Sequence, residues 1–173
     1  KLRDSISEPF NILLRASIKA VKNGGKIVFF GNGGSAADAQ HLATELTVRY
    51  INDSPPIPAI ALSTDTSSLT AVSNDYGFED VFARQVDAIV KKDDVVIGIS
   101  TSGNSENILR ALNKAKKKGA VVAGFTGSGG GRMRGLADPL INVPSLQTAR
   151  IQEMHILIGH MLCGALEKEL DLI

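Results

Sequence analysis

The sequence DVVIGISTSGNS, residues 94–105, joins a run of apolar, mostly β-branched residues to a loop of small and hydroxyl-bearing residues. The apolar half predicts a buried strand, and the polar half leads into helical periodicity over residues 105–118. The same order of strand, small-residue loop and helix occurs over residues 26–50. Repeated alternation of strand and helix is typical of a mostly parallel sheet, so the sequence predicts an α/β fold.

Apolar runs and periodic stretches extend this pattern along the chain. We expect strands at residues 26–30, 58–62, 94–100, 120–125 and 139–143. We expect helices at residues 7–22, 35–50, 78–91, 105–118 and 147–170. No repeat or linker divides the 173 residues, and this length fits one domain of roughly 100 to 200 residues. The sequence therefore predicts a single domain, residues 1–173, built as an α/β sandwich.

The charge and composition exclude several classes of protein. Nineteen basic and eighteen acidic residues give a formal charge of +1, so the basic excess needed for non-specific nucleic-acid binding is absent. No apolar run approaches the roughly 18 residues of a membrane span, so we expect no membrane partner. The single cysteine, Cys163, cannot form an internal disulfide. The sequence accordingly predicts a cytoplasmic protein.

Hydroxyl-bearing residues are concentrated in the loop that follows the third predicted strand. Ser100, Thr101, Ser102 and Ser105 lie within six positions, directly before a predicted helix. Amides at a helix N-terminus and neutral hydroxyls suit a phosphate group, so this loop is a candidate site for a small phosphorylated metabolite. The alternative is ordinary N-capping, for which a single serine suffices.

The loop after the first predicted strand allows a different interpretation. Gly31, Gly33 and Ala36 satisfy the G-x-G-x-x-A spacing of a dinucleotide-binding loop. That fingerprint also needs an acidic residue about 20 positions further on to hold the ribose. The first candidate, Asp65, lies 34 positions after Gly31. Dinucleotide binding is therefore disfavoured.

Polar side chains interrupt the apolar faces of two predicted helices. His41 and Glu45 are spaced i, i+4 and share one face. Gln152 and His160 share a broad side of the last helix, although about 12 Å of helix rise separates them, and His155 points to another face. One carboxylate, two imidazoles and an amide oxygen could hold Zn²⁺ or a similar ion. The alternative for each histidine is a hydrogen-bonded core residue.

Two further polar features are candidates for chemistry. Glu45 is flanked by apolar residues, and a carboxylate in such surroundings needs a partner or a chemical role such as general base. The segment 73–77 reads as a polar loop. It is either a turn with an Asx cap or a loop that brings Asn74 and Asp75 to sugar hydroxyls.

Three motifs together resemble a known family. Residues 30–35 (FGNGGS), 98–105 (GISTSGNS) and 149–155 (ARIQEMH) occur in this order, and the likeness covers nearly the whole chain. The chain resembles the sugar isomerase (SIS) domain family, and within it the isomerases of sedoheptulose 7-phosphate. The resemblance implies a five-stranded parallel sheet flanked by helices, a flavodoxin-like three-layer sandwich, a homotetramer, and active sites where subunits meet.

The resemblance also implies an activity and a set of site residues. The activity is conversion of the ketose sedoheptulose 7-phosphate to an aldose heptose 7-phosphate through a cis-enediol, the first step toward the heptose of bacterial surface polysaccharide. Carried over by position, the catalytic pair is Glu45 as base and His160 as acid. The metal, usually zinc, falls on His41, Glu45, Gln152 and His160. Phosphate falls on Ser100, Thr101, Ser102 and Ser105, and the sugar on Asn32, Gly33, Gly34, Asn74, Asp75 and Gln152.

Two alternatives remain within this family. One is a non-catalytic SIS protein that associates with the bacterial replication initiator. Such a protein needs neither the carboxylate at Glu45 nor the imidazole at His160, and the presence of both favours an enzyme. The other is an isomerase of a hexose or pentose phosphate, because the loop hydroxyls select the phosphate and not the carbon count.

Overall fold

The structure is a computed structural model that describes residues 2–172. Helices and strands alternate along most of the chain, as the sequence predicts. In chain order they are α1 (Leu2–Lys22), β1 (Ile27–Gly31), α2 (Gly34–Thr47), β2 (Ala59–Ala61), α3 (Thr66–Asp75), α4 (Val81–Ile89), β3 (Val95–Ser100), α5 (Glu106–Lys117), β4 (Val121–Thr126), β5 (Leu140–Asn142) and α6 (Thr148–Glu169). Short 3₁₀ turns occupy Phe78–Asp80 and Gly131–Met133.

The five strands form one parallel sheet in the order β2-β1-β3-β4-β5. This is the flavodoxin-like order, and it confirms the predicted fold class. Every residue of β1 and β3 is buried. Strands covered by helices on both faces read as continuous apolar runs, which is why these two were visible in the sequence.

Side chains that alternate along β1 divide the core into two layers. Ile27 and Phe29 belong to the cluster that packs under α1, α2 and α6. Val28 and Phe30 face the opposite way and pack against α4 and α5. The helices therefore cover both faces of the sheet, and the molecule is a three-layer sandwich.

The sequence prediction missed α3. Its residues, TSSLTAVSND, include many Ser, Thr, Asn and Asp, which have modest helix propensity. The helix begins because the Asp65 carboxylate accepts hydrogen bonds from the backbone N–H groups of Ser67 and Ser68, at 3.0 and 3.1 Å. Ser73–Asp75 end this helix, so the prediction of a polar loop over residues 73–77 was wrong for its first half.

The Asp65 cap also bears on the dinucleotide alternative. Its other oxygen accepts a hydrogen bond from the Ser68 hydroxyl at 2.8 Å. That hydroxyl and the two backbone donors hold the pKa of the Asp65 carboxyl below its usual value. The Asp65 carboxylate is therefore occupied with capping α3. It is not available to bind the ribose of a dinucleotide.

Two helices that lie side by side on one face of the sheet frame the site. Both α2 and α6 begin at the edge where the strands end, and a Cβ built on Gly159 of α6 would overlap Leu42 of α2. The two helices are therefore in close contact on the way from the strand ends to the opposite edge of the sheet. Within residues 2–172, no helix has the length and apolar character that crossing a bilayer requires.

Candidate active site

A polar cavity of about 300 Å³ lies at the ends of β1 and β3. These neighbouring strands are the point where the strand order reverses, which is the usual ligand position in open α/β sheets. We call this cavity the strand-end pocket. Its lining residues are Asn32, Gly33, Gly34, Ser35, Ile99, Ser100, Thr101, Ser105, Thr148 and Gln152. Most of the residues predicted to bind phosphate and sugar are therefore brought together.

The hydroxyl groups of the strand-end pocket are placed by the start of α5. Ser105 is the N-cap residue of that helix, and its Oγ lies 3.2 Å from the Oγ of Ser100 at the end of β3. Two hydroxyls so close to a helix N-terminus offer donors beside a partial positive charge. The pocket has the chemistry of a site for a phosphate group.

An amide pair that sequence reasoning missed fixes one wall of the strand-end pocket. The Asn32 side-chain amide donates to Asn107 Oδ1 at 2.9 Å, and the Asn107 amide donates back to Asn32 Oδ1 at 2.8 Å. Asn107 is only 3% exposed, and its Oδ1 also accepts from the backbone N–H of Ile108 at 3.0 Å. The signal available in the sequence was an asparagine on the buried face of α5.

Gln152 reaches the strand-end pocket because its neighbour has no side chain. A Cβ built on Gly34 would overlap the side-chain amide of Gln152. Glycine at this position therefore lets α6 approach the start of α2 closely. The consequence is that the Gln152 amide faces the pocket rather than solvent.

Three ligand-type side chains converge further along α2 and α6. His41 Nε2 lies 2.9 Å from His160 Nε2 and 3.2 Å from Glu45 Oε1, and the three ligand atoms all lie within 4.8 Å of one another. We call these residues the His–Glu cluster. The Glu45 side chain is 21% exposed and that of His41 49% exposed. The packing of α2 on α6 thus joins residues 119 positions apart.

The His–Glu cluster fits a divalent metal ion. Zinc bound tetrahedrally at about 2.0 to 2.2 Å from each ligand holds the ligand atoms about 3.4 Å apart. The separations of 2.9 and 3.2 Å are close to this value. Two imidazoles and one carboxylate also form a donor set that leaves one zinc position open, as catalytic sites require.

The predicted fourth ligand, Gln152, does not join the His–Glu cluster within one chain. Gln152 lies beside Gly34 in the strand-end pocket, whereas His160 is eight residues further along α6. Eight residues correspond to about 12 Å of helix rise. This rise separates the two side chains along α6, and a contact of Gln152 with the ion stays a prediction.

Asp38 lies on α2 between the strand-end pocket and the His–Glu cluster, and sequence reasoning did not identify it. Burial raises the pKa of its carboxyl to about 6, and the nearby His41 partly opposes this shift. Its Oδ2 is buried and has no hydrogen-bond partner among residues 2–172. Asp38 follows Gly34 by four residues and precedes His41 by three, so these residues share one face of α2.

His155 is a structural residue. It is fully buried, its Nε2 lies 3.2 Å from the backbone oxygen of Thr126, and its ring packs against Phe125. Burial lowers the pKa of its imidazole to about 4, while the contact with the Thr126 oxygen partly opposes this shift. The imidazole is therefore neutral at physiological pH. For this histidine, the alternative of a hydrogen-bonded core residue is the one that the structure supports.

Three predicted ligand residues lie outside the lining of the strand-end pocket. Ser102 is exposed, and its Oγ accepts a hydrogen bond from the backbone N–H of Asn104 at 3.2 Å. Asn74 and Asp75 are exposed at the end of α3, where the Asn74 amide donates to Asp75 Oδ1 at 2.8 Å. Their contact with a phosphosugar stays a prediction.

Comparison with known proteins gives the family. A family model described as the SIS domain matches residues 1–127. The chain belongs to the SIS domain family. Within this family, it is 57% identical over 163 residues to the phosphoheptose isomerase of Paramagnetospirillum magneticum, covering 94% of this chain and 85% of that protein. It is 60% identical over 151 residues to the phosphoheptose isomerase of a Nitratiruptor species, covering 87% and 81% of the two chains.

Solved structures of SIS proteins agree with this membership. The phosphoheptose isomerase of Neisseria gonorrhoeae superposes with a TM-score of 0.90 at 43% identity and covers 96% of this chain and 89% of its own. The corresponding enzyme of Francisella tularensis gives a TM-score of 0.89 at 39% identity, with coverage of 93% and 86%. This SIS chain therefore lies in the phosphoheptose isomerase branch of the family.

Proposed function

We propose that this chain isomerises D-sedoheptulose 7-phosphate to D-glycero-D-manno-heptose 7-phosphate. The names of its relatives support the reaction class. The observation that carries the proposal is the presence of two chemically different sites on the same pair of helices, α2 and α6. The strand-end pocket suits a phosphate, and the His–Glu cluster suits proton transfer at a carbonyl.

The distance between the two sites matches the length of the substrate. Gly34 in the strand-end pocket and His41 in the His–Glu cluster are seven residues apart on α2, which is about 10 Å of helix rise. An extended chain advances about 1.2 Å per bond, so the roughly eight bonds from C1 to phosphorus in a heptose 7-phosphate span about 10 Å. A phosphate held at the strand ends therefore places C1 and C2 near Glu45 and His160.

The proton transfers follow from the residues of the His–Glu cluster. Glu45 removes the proton from C1 of the ketose, which gives the cis-enediol, and returns a proton to C2. His160 moves the proton between the two oxygens. A well-placed acid or base of this kind contributes about 10² to 10⁴ in rate. The cluster is partly open to solvent, so a sugar can reach it.

A zinc ion would be held by His41, Glu45 and His160, whose ligand atoms converge as described above. When bound, the ion would act as a Lewis acid that stabilises the negative charge of the enediolate. The residues themselves supply the geometry. His41 Nε2 contacts both other members of the cluster, so it holds Glu45 and His160 in their relative orientation.

We also propose that the chain is one cytoplasmic domain, residues 1–173, that works as a homotetramer and serves the heptose of surface polysaccharide. An apolar groove between α1 and α6 supports self-association. It is lined by residues that include Phe10, Leu157 and Met161, and the last two are 49% and 48% exposed. Exposed apolar patches of this kind are typical of protein interfaces. Gln152 of one subunit would approach a second subunit's cluster only in such an assembly.

The experiment that tests the function is proton exchange followed by NMR. The full chain, loaded with zinc, is incubated in D₂O with sedoheptulose 7-phosphate, and in parallel with fructose 6-phosphate and ribulose 5-phosphate. With sedoheptulose 7-phosphate, we expect deuterium at C1 of the ketose and appearance of the aldose. Both should be faster than with fructose 6-phosphate or ribulose 5-phosphate. Binding of the heptose phosphate without exchange would identify a binding protein. Faster turnover of a shorter sugar would overturn the assignment of the substrate.

A further inference from the structure

The aromatic ring of Tyr50 stacks on the imidazole of His160. The two ring centroids are 5.3 Å apart and the rings are inclined by 27°. The imidazole of His41 also contacts that of His160, at 5.0 Å and an inclination of 57°. Tyr50 lies just beyond the end of α2, and the three ligand atoms of the His–Glu cluster belong to other residues. Its contact with the cluster is through the ring face of His160.

Two features of α6 hold Tyr50 in this place. A Cβ built on Gly164 would lie 3.2 Å from Tyr50 Cε1, so the absence of a side chain there makes room for the ring. The backbone N–H of Tyr50 donates to Glu167 Oε1 at 3.1 Å. His160, Gly164 and Glu167 are spaced i, i+4 and i+7, so they share one face of the helix. Tyr50 covers this face.

The buried carboxylate of Glu167 gives this arrangement weight. Glu167 is only 2% exposed, and its Oε2 is buried with no hydrogen-bond partner in the described part of the chain. Burying a carboxylate is unfavourable unless hydrogen bonds compensate. The one hydrogen bond that the described residues offer to it comes from Tyr50. The fold therefore buries the Glu167 carboxylate although burial is unfavourable, and this carboxylate accepts a hydrogen bond from Tyr50, the residue that stacks on His160.

The His160 imidazole needs such a contact to stay oriented. The second side-chain torsion of histidine is broad and roughly two-fold, so a partly exposed ring can turn. Histidines in metal and catalytic sites are usually fixed by a hydrogen bond to their other ring nitrogen. Within residues 2–172, the Nδ1 atom of His160 has no hydrogen-bond partner. The Tyr50 ring takes the place of that hydrogen bond.

We propose that Tyr50 is a positioning residue for this isomerisation. Its ring, held by Glu167 and accommodated by Gly164, restricts rotation of the His160 imidazole. The Nε2 atom of His160 then stays directed at His41, where proton transfer at the sugar oxygens requires it. The inference rests on the proposed function for its effect on turnover, but the orientation of the imidazole is measurable without turnover.

The test compares Tyr50→Leu, which removes the ring, with Tyr50→Phe, which retains it as a matched control. We expect Tyr50→Leu to lower kcat with sedoheptulose 7-phosphate about 10- to 100-fold, as loss of an orienting partner does, with KM nearly unchanged. Tyr50→Phe should retain the wild-type kcat. Gly164→Val should lower kcat in the same way, because its branched side chain would overlap the ring while Tyr50 itself remains.

NMR of the His160 imidazole separates this inference from the proposed function. The aromatic ring current of Tyr50 acts on the carbon-bound ring protons of His160, so their signals report whether the ring is stacked there. Orientation is measured by the nuclear Overhauser effect between the ring protons of His160 and His41, which should weaken in Tyr50→Leu and Gly164→Val and persist in Tyr50→Phe. If the wild type shows no turnover, this weakening still supports positioning while the proposed function fails. An unchanged Overhauser effect in folded Tyr50→Leu, or a wild-type kcat in that variant, would overturn the inference. Urea unfolding identifies any variant that fails to fold, and Gly164→Val then decides.

Discussion

The strand-end pocket and the His–Glu cluster are assembled in different ways. Three hydroxyls of the pocket, those of Ser100, Thr101 and Ser105, come from one short loop held between a strand end and a helix start. The cluster joins His41 to His160 across 119 positions of sequence. Binding chemistry here is local, and proton-transfer chemistry depends on how two helices pack. Substitutions in the two regions should therefore have separable effects on KM and kcat.

The largest expected effect is that of Glu45→Gln, which tests whether the chemistry resides in the cluster alone. Turnover should fall by about 10² to 10⁴, because the amide cannot accept the carbon-bound proton. Binding of the phosphosugar, measured by calorimetry, should change little because the strand-end pocket is intact. Glu153→Gln is the matched control, since Glu153 is exposed on α6 and pairs only with Arg150 among the described residues. A Glu45→Gln variant that keeps more than a tenth of the activity would remove Glu45 from its role.

His155 sharpens the contrast, because it is an imidazole on α6 that belongs to neither region. Its pKa in the folded state is about 4 against 6.5 ordinarily, so below pH 6.5 the unfolded chain binds more protons. Its contribution to stability is complete above pH 6.5 and is lost as the pH falls toward 4. The difference corresponds to about 3 kcal/mol of unfolding free energy.

Urea unfolding at pH 7.5, 5.5 and 4.5 measures this effect. The wild type should lose stability along that series, and His155→Gln should lose less. The kcat of folded His155→Gln at pH 7.5 should stay near that of the wild type. Equal pH slopes for the two proteins would show that His155 is not the buried titrating group.

A smaller effect is expected from the hydroxyl of Ser105, compared with that of Ser102. Ser105 lines the strand-end pocket, and Ser102 does not. A hydrogen bond to a charged group contributes about 1.5 to 3 kcal/mol, so Ser105→Ala should raise KM at least about tenfold while kcat changes little. Ser102→Ala should leave both constants near the wild-type values. Equal effects of the two substitutions would mean that the phosphate lies further out along the loop.

The smallest expected effect concerns Asp38, which lies between the two regions. Its pKa is raised from 3.8 to about 6, so the folded state binds the proton more tightly and stability falls as the pH rises through this interval. Because the group is only half buried, solvent screening reduces the effect to about 1 kcal/mol. Asp38→Asn should therefore be about 1 kcal/mol more stable than the wild type at pH 7.5 by urea unfolding. A less stable variant would show that the carboxylate has a favourable partner.

The sequence predicted what apolar periodicity and local chemistry can show. The strands were visible as short apolar runs, most clearly β1 and β3, which are buried throughout, and the hydroxyl loop was visible because its members are adjacent. Helix α3 was missed because only the Asp65 cap indicates where it begins. The pairing of Asn32 with Asn107, and the separation of Gln152 from His160 in one chain, depend on the packing of distant elements. The hydrophobic periodicity of a single helix or strand does not indicate how distant elements pack.

The reciprocal amide bonds between Asn32 and Asn107 have a consequence for ligand entry. They tie the loop after β1 to the start of α5, so these two segments beside the strand-end pocket move as one body. When a phosphosugar binds, little of the protein backbone around the pocket then needs to become ordered. This lowers the entropic penalty of association. Hydrogen exchange at the backbone amides of the loop after β1 and of the start of α5 should accordingly be slow before any ligand is added.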